Sequence, residues 1–182
     1  MSLQDIYLRY QQQDFGGDKG TQHSYIDVYA EQIVPKFGLS LLEIGVYEGH
    51  SLMMWNEYLP DCRVVGVDVD ISRVLWPKLL SQIVLGNACS RDVLNKITGN
   101  FDYVIDDGSH NVDDQKSSFM LLWDRLLPNA KYFIEDIVSI EVAEDLAAFV
   151  WAFTGFQPII YDLRHVKGRY DDILLMVCKS IG

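Results

Sequence analysis

Short apolar runs that stop at an acid or a glycine recur along this chain, and they limit its fold more than any other feature. Residues 41–44 stop at Gly45, 63–67 at Asp68, 82–85 at Gly86, 101–105 at Asp106 and Asp107, and 131–134 at Glu135 and Asp136. Each run is too short for a helix and too continuously apolar for a strand with one wet face. It reads as a strand buried on both sides. Helical patterns fall between them, over 51–58, 72–80 (interrupted by Pro77), 90–97, 112–127 and 142–153. Ser51 is the expected N-cap of the first of these. Two last strands, 158–163 and 173–178, are separated only by a polar turn, so one of them is expected to run backwards. Alternation of this kind implies an α/β three-layer sandwich. Its seven-stranded sheet is mostly parallel, with one antiparallel strand near the edge.

Upstream, residues 1–20 suit a helix running into a glycine-rich loop (Gly16, Gly17, Gly20), and 24–36 suit a helix ending near Pro35. The length of 182 residues fits one domain. We divide it into a segment 1–24, a candidate lid, and a main domain 25–182. A net charge of −11 argues against nucleic acid or an anionic membrane as partner. Three widely spaced cysteines show no metal-binding spacing. With no long apolar run and no signal pattern, the expected location is the cytoplasm. A homodimer is compatible with a site open at the sheet edge.

In an open parallel sheet, ligands bind beyond the carboxyl ends of the strands. Three motifs then face one crevice. The first is the loop Glu43-Ile44-Gly45-Val46-Tyr47-Glu48-Gly49-His50-Ser51. Its glycines allow a tight turn and close approach to a ligand. It lacks the spacing of a dinucleotide fingerprint, and Glu48 would repel a pyrophosphate, so a cofactor without phosphates is favoured over NAD or FAD. Asp68, closing the next strand, is placed to accept hydrogen bonds from ribose hydroxyls.

The other two motifs are Asp106-Asp107-Gly108-Ser109-His110 and Glu135-Asp136. Four carboxylates at one sheet edge cost free energy unless they are paired or metal-bound. Few Lys or Arg lie near them in sequence. Oxygen donors suit Mg²⁺, Mn²⁺ or Ca²⁺ rather than zinc. One or two of the four acids are expected to be structural, for instance as helix caps. His110, in the same loop, is a fitting general base near neutral pH. The basic turn His165, Lys167 and Arg169 either borders the mouth of the site or is plain solvated surface.

Together LLEIGVYEGHS, VVGVDVD, YVIDDGSH and YFIEDI resemble the class I S-adenosylmethionine-dependent methyltransferases, which have a Rossmann-like fold. With Asp18-Lys19-Gly20-Thr21, they resemble more narrowly the metal-dependent sugar O-methyltransferases of macrolide biosynthesis and the cephalosporin hydroxylase-like proteins. The resemblance runs from about residue 14 to 178. It implies that Glu43, Gly45 and Gly49, with Ser51 in the same loop, shape the methionine and ribose pocket. Asp68 would hold the ribose, Asn87 would approach the adenine, and Asp106 would lie near the methionine moiety. Asp107, Glu135 and Asp136 would bind Mg²⁺ or Mn²⁺, and His110 would be the base. Asn87 stands where an aspartate is common, and Asn129-Ala130 replaces the usual glycine pair. The implied activity is methylation of a hydroxyl on a small molecule, a sugar or another vicinal diol. The alternatives are a catechol-type O-methyltransferase and a cofactor-binding subunit without catalysis.

Overall fold

The computed structural model describes residues 1–13, 15 and 17–180; Gly16, counted above in the glycine-rich loop, lies outside the described residues. Strands β1 (Ser40–Ile44), β2 (Arg63–Asp68), β3 (Ile83–Leu85), β4 (Phe101–Asp106), β5 (Leu126–Ile134), β6 (Ile159–Asp162) and β7 (Ile173–Cys178) form one sheet. Their order is β3-β2-β1-β4-β5-β7-β6. All neighbours are parallel except β7, which runs antiparallel to both β5 and β6. This is the expected sheet, with its one reversed strand next to the edge.

Two cores result from the alternation of side chains along each strand. Leu42, Val104, Tyr132 and Leu175 point to one face, where they meet Phe119, Leu122, Leu146 and Val150 from helices α5 (Val112–Leu122) and α6 (Ile140–Thr154). Their neighbours Leu41, Ile105, Phe133 and Leu174 point to the other face. There they meet α1 (Leu3–Gln12), α2 (Tyr25–Gln32) and α3 (His50–Tyr58). Leu3, Ile6 and Tyr7 of α1 are buried in this second core, so the N-terminal helix is part of the packed layer. No helix among the described residues is long and apolar enough to cross a membrane.

Four local expectations need correction. Ser51 does not cap α3. Gly49 takes that place with φ +89°, a left-handed conformation open to glycine, and frees the Ser51 hydroxyl for Glu43. Residues 72–80 form no α-helix. Pro77 instead opens a 3₁₀ helix, Pro77–Gln82, behind an extended Trp76. The predicted helix 112–127 ends at Leu122, and β5 begins at Leu126, because Pro128 holds the preceding residue extended. The β4–β5 register slips beside that proline, between Phe101 and Tyr103. Finally, the turn between β6 and β7 contains a short helix α7 (Arg164–Lys167). The remaining short helix, α4 (Arg91–Leu94), lies within the predicted span 90–97.

Candidate active site

Strand order reverses between β1 and β4, because β2 and β3 lie on one side of β1 and β5 lies beyond β4. Their carboxyl ends therefore splay apart into a crevice. Backbone hydrogen bonds fix those ends to each other. Gly45 donates to Val67, Asp107 to Ile44, Gly86 to Asp68 and Glu135 to Asp106, each at 2.8–2.9 Å. The loops that leave them enclose a cavity of about 1220 Å³. That exceeds the ~300–1,000 Å³ of a typical single-ligand pocket and leaves room for two molecules side by side.

Gly45, Ser51, Asp68, Asn87, Asp106, Asp107 and His110 line this cavity, whereas Glu43, Gly49, Glu135 and Asp136, expected to face the same crevice, are not among its lining residues. Gly45 has φ +84°, and a Cβ there would fall 1.8 Å from the Asp107 carbonyl oxygen. The loop can pass this close to the end of β4 only as glycine. Gly49 instead turns towards Leu79, behind the loop. Asp68 Oδ2 accepts from the amides of Val46 and Tyr47 at 2.6 and 2.8 Å, and its Oδ1 accepts from the Asp70 amide. Its carboxylate thus clasps the glycine loop while still facing the cavity. Asn87 Oδ1 accepts from the Cys89 amide. Asp106 is a buried residue of the cavity wall, where the hydroxyls of Ser118 and Tyr132 donate to it. Burial pushes its pKa up to about 6 against those two bonds.

Deeper, Lys19 gathers the acids. Its Nζ lies 2.5 Å from Asp107, 2.7 Å from Glu135 and 3.3 Å from Glu43, with all but Asp107 almost fully buried. The Tyr29 hydroxyl donates to the same Glu135 oxygen as Lys19, and Ser51 donates to Glu43 at 2.7 Å. Burial opposes the Lys19 charge, but Asp107, Glu135 and Glu43 outweigh it and raise its pKa well above the usual lysine value. Burial also raises Asp107 and Glu43, and takes Glu135 up to about 8. One ammonium thus answers three carboxylates here, and burial works against the charge of each acid. Few Lys or Arg lie near these acids in sequence, and the counter-ion comes instead from 88 residues away from Asp107. Lys19 is the only Lys or Arg between Arg9 and Lys36, and it sits inside the Asp18–Thr21 motif. That isolation was the available signal.

Asp107, His110 and Asp136 each turn one donor atom to a common point, with all three atoms within 4.8 Å of one another. The two carboxylate oxygens, from Asp107 and Asp136, are a suitable partial ligand set for Mg²⁺ or Mn²⁺, with the His110 imidazole beside them. Glu135, also expected at the metal, lies on the Lys19 side of this point. Asp136 is oriented by the Tyr25 hydroxyl, which donates to its Oδ1 at 2.9 Å. His23 Nδ1 lies 3.2 Å from the same oxygen. His110 and Asp136 both have left-handed backbones, φ +57° and +54°. For residues other than glycine such conformations cost about 1–3 kcal/mol and concentrate at functional sites. The Nδ1 of His110 is buried without a hydrogen-bond partner among the described residues, and its Nε2 lies 3.9 Å from Asp136 Oδ2.

The basic turn near His165 is neither a mouth nor free surface throughout. Lys167 donates to the carbonyls of Gly20, Thr21 and His23, and Arg169 donates to Gln22. It anchors the segment that carries Lys19.

The profile of a methyltransferase domain matches residues 42–137, more than half of the chain, from within β1 to just past the Glu135-Asp136 corner. The chain belongs to the methyltransferase domain family. Named relatives of this methyltransferase domain include the 8-demethyl-8-alpha-L-rhamnosyl tetracenomycin-C 2'-O-methyltransferase of Streptomyces olivaceus. It is 35% identical over 134 residues, 67% of this chain and 35% of that protein. The mycinamicin VI 2''-O-methyltransferase of Micromonospora griseorubida is 35% identical over 53% of this chain and 27% of its own. Matches to these relatives thus span about a third of their length. Among solved structures, the MycE methyltransferase from the mycinamycin biosynthetic pathway, in complex with Mg and SAH, superposes with a TM-score of 0.72. Identity is 23%, over 99% of this chain and 55% of that one. The similarity establishes a shared fold.

Proposed function

We propose that this methyltransferase domain transfers a methyl group from S-adenosylmethionine to a hydroxyl of a sugar or similar vicinal diol, with Mg²⁺ or Mn²⁺ bound beside the acceptor. The observation that carries the reading is a clasped glycine loop, Asp107 and His110 lining one cavity, with an Asp136 oxygen within 4.8 Å of a donor atom of each of the last two. The names of the relatives support the acceptor class, since each methylates a sugar hydroxyl of a natural product.

On this reading Gly45, Ser51, Asp68, Asn87 and Asp106 hold the cofactor, with Glu43 and Gly49 fixing the loop from behind. Asp107 and Asp136 hold the metal, and Glu135 joins them when released from Lys19. The cofactor supplies an electrophilic methyl group, and the metal makes a chelated hydroxyl more acidic and fixes its direction. His110 removes the hydroxyl proton. Its Nδ1 is buried, so Nε2 is the nitrogen that accepts it. The end of β4 and the loop after it keep base and acceptor on the same side of the cavity.

The N-terminal segment 1–24 serves as a wall of the acceptor side, pinned by Lys167 and Arg169. Protection of this segment from protease on adding S-adenosylhomocysteine would support its closing as a lid; unchanged cleavage would count against that. The net charge of −11 favours small molecules over nucleic acid, and we place the protein in the cytoplasm. Labelled methyl transfer to simple glycosides and catechols, with Mg²⁺ or with chelator, tests the function. Metal-dependent labelling of glycosides supports the proposal, labelling of catechols alone moves it to the catechol class, and no labelling by protein that binds cofactor leaves a non-catalytic subunit.

A further inference from the structure

Three carboxylates, from Glu43, Asp107 and Glu135, meet the Lys19 ammonium beside the cavity, while a fourth, Asp136, converges with Asp107 on the candidate metal point and faces His23 and His110. The Lys19 Nζ touches Asp107, a member of the convergent metal-donor group, and lies 2.7 Å from Glu135. Its side chain is about 4% exposed, so it is a built part of the site rather than a passing surface contact. Its backbone is fixed independently. The Lys19 carbonyl accepts from the Tyr25 amide at 3.0 Å, and Lys167 holds the carbonyls that follow. The ammonium can therefore leave the acids by rotation of the side chain while the strand of backbone stays in place, and the cavity it lines gives it somewhere to go.

We propose that Lys19 is an internal counter-ion that competes with the divalent cation for Asp107 and Glu135, so that loading of the metal displaces the Lys19 ammonium. This rests on the metal-dependent reading above. The physical basis is charge. A monovalent and a divalent cation a few ångströms apart in a poorly solvated site repel strongly, and the same carboxylate oxygens cannot serve both fully. In the absence of metal, Lys19 prevents the acids from repelling one another. In its presence, the lysine weakens metal binding and keeps the affinity low enough for the ion to exchange. Lys19 acts through the acids it touches, and is a positioning residue.

The test is the affinity of Mn²⁺ for the wild-type protein, Lys19→Met, and the double variant Lys19→Met/Glu43→Gln, measured by calorimetry and by the electron paramagnetic resonance of free ion. Lys19→Met is expected to bind Mn²⁺ about tenfold or more tightly than wild type. The double variant, which removes one anion with the cation, is expected to fall back towards wild type. Wild-type binding with unchanged or weaker affinity in Lys19→Met overturns the proposal and leaves the metal reading intact. Binding by none of the three proteins overturns both. Should Lys19→Met not fold without metal, amine labelling of the wild-type protein decides. Lys19 should become several-fold more reactive on Mn²⁺ addition while the other lysines stay constant, and an unchanged Lys19 refutes displacement.

Discussion

Gly45→Ala is the sharpest perturbation that the site geometry offers. The new Cβ would meet the Asp107 carbonyl oxygen at 1.8 Å and its carbon at 2.6 Å, both backbone atoms. Relief requires the loop after β4 to retreat by more than 1 Å from an ordinary C···O contact of about 3.3 Å. The Asp107 amide bond to Ile44, 2.9 Å long, resists that movement. A left-handed backbone costs an L-residue about 1–2 kcal/mol, and forced repacking costs about 1–3 more. The sum is about 2–5 kcal/mol, a large share of the ~5–15 kcal/mol that holds a domain together. Gly38 and Gly155 are natural controls. Their φ values, +77° and +76°, are similar, but nothing lies within 4 Å of a Cβ at either site. Alanine there should cost only the conformational part. Urea unfolding of the three variants, compared at a common slope, measures the difference. Should Gly45→Ala lose no more stability than the two controls, the close approach of the glycine loop to β4 is not a real constraint.

Three further outcomes are expected. Asp106 is buried with its pKa raised to about 6 from 3.8, so the native state holds the proton more tightly than the unfolded chain. Its contribution is fully present below about pH 4 and is lost as pH rises through 6, a change of about 3 kcal/mol. In chelator, Asp106→Asn should lack this slope, and parallel stability curves for the two proteins from pH 4 to about 7 would contradict it. Burial, with the Asp114 carboxylate, pushes the Cys89 thiol up to about 11. Peptide mass spectrometry should find it alkylated roughly a hundredfold more slowly at pH 8 than an unperturbed thiol. His110→Ala should lower turnover by about 10²–10⁴-fold while leaving S-adenosylhomocysteine affinity unchanged, and a loss of both in a folded variant would remove His110 from the base role.

The sheet was legible because β1, β2, β4 and β5 are buried on both faces and each ends in a residue that cannot continue a core. Solid apolar runs report burial, and the acids or glycines after them report the switch-point edge. The resemblance to sugar O-methyltransferases added the expected cofactor, which no spacing in the chain supplies. What stayed hidden depends on distance along the chain or on backbone angles. Lys19 meets Glu135 across 116 residues, so a search for nearby cations could not find it. Ser51 carries the composition of a helix cap, yet Gly49 won that place because the turn demands a positive φ. Asp68 was expected to await ribose hydroxyls, and its use in clasping the amides of Val46 and Tyr47 depends on the turn of a loop whose shape no residue pattern reveals. The early start of β5 follows from Pro128, a local rule that a strong helical pattern over 112–122 obscured.

The central claim is that one cavity holds S-adenosylmethionine and a divalent cation side by side. Calorimetric titration of the protein with S-adenosylhomocysteine, in Mg²⁺ and in chelator, tests it most directly, with Asp68→Asn as the site control. Saturable one-to-one binding that Asp68→Asn weakens by about tenfold or more is the predicted result. Absence of binding by the folded protein in both conditions, or binding that ignores the Asp68 change, would contradict the account.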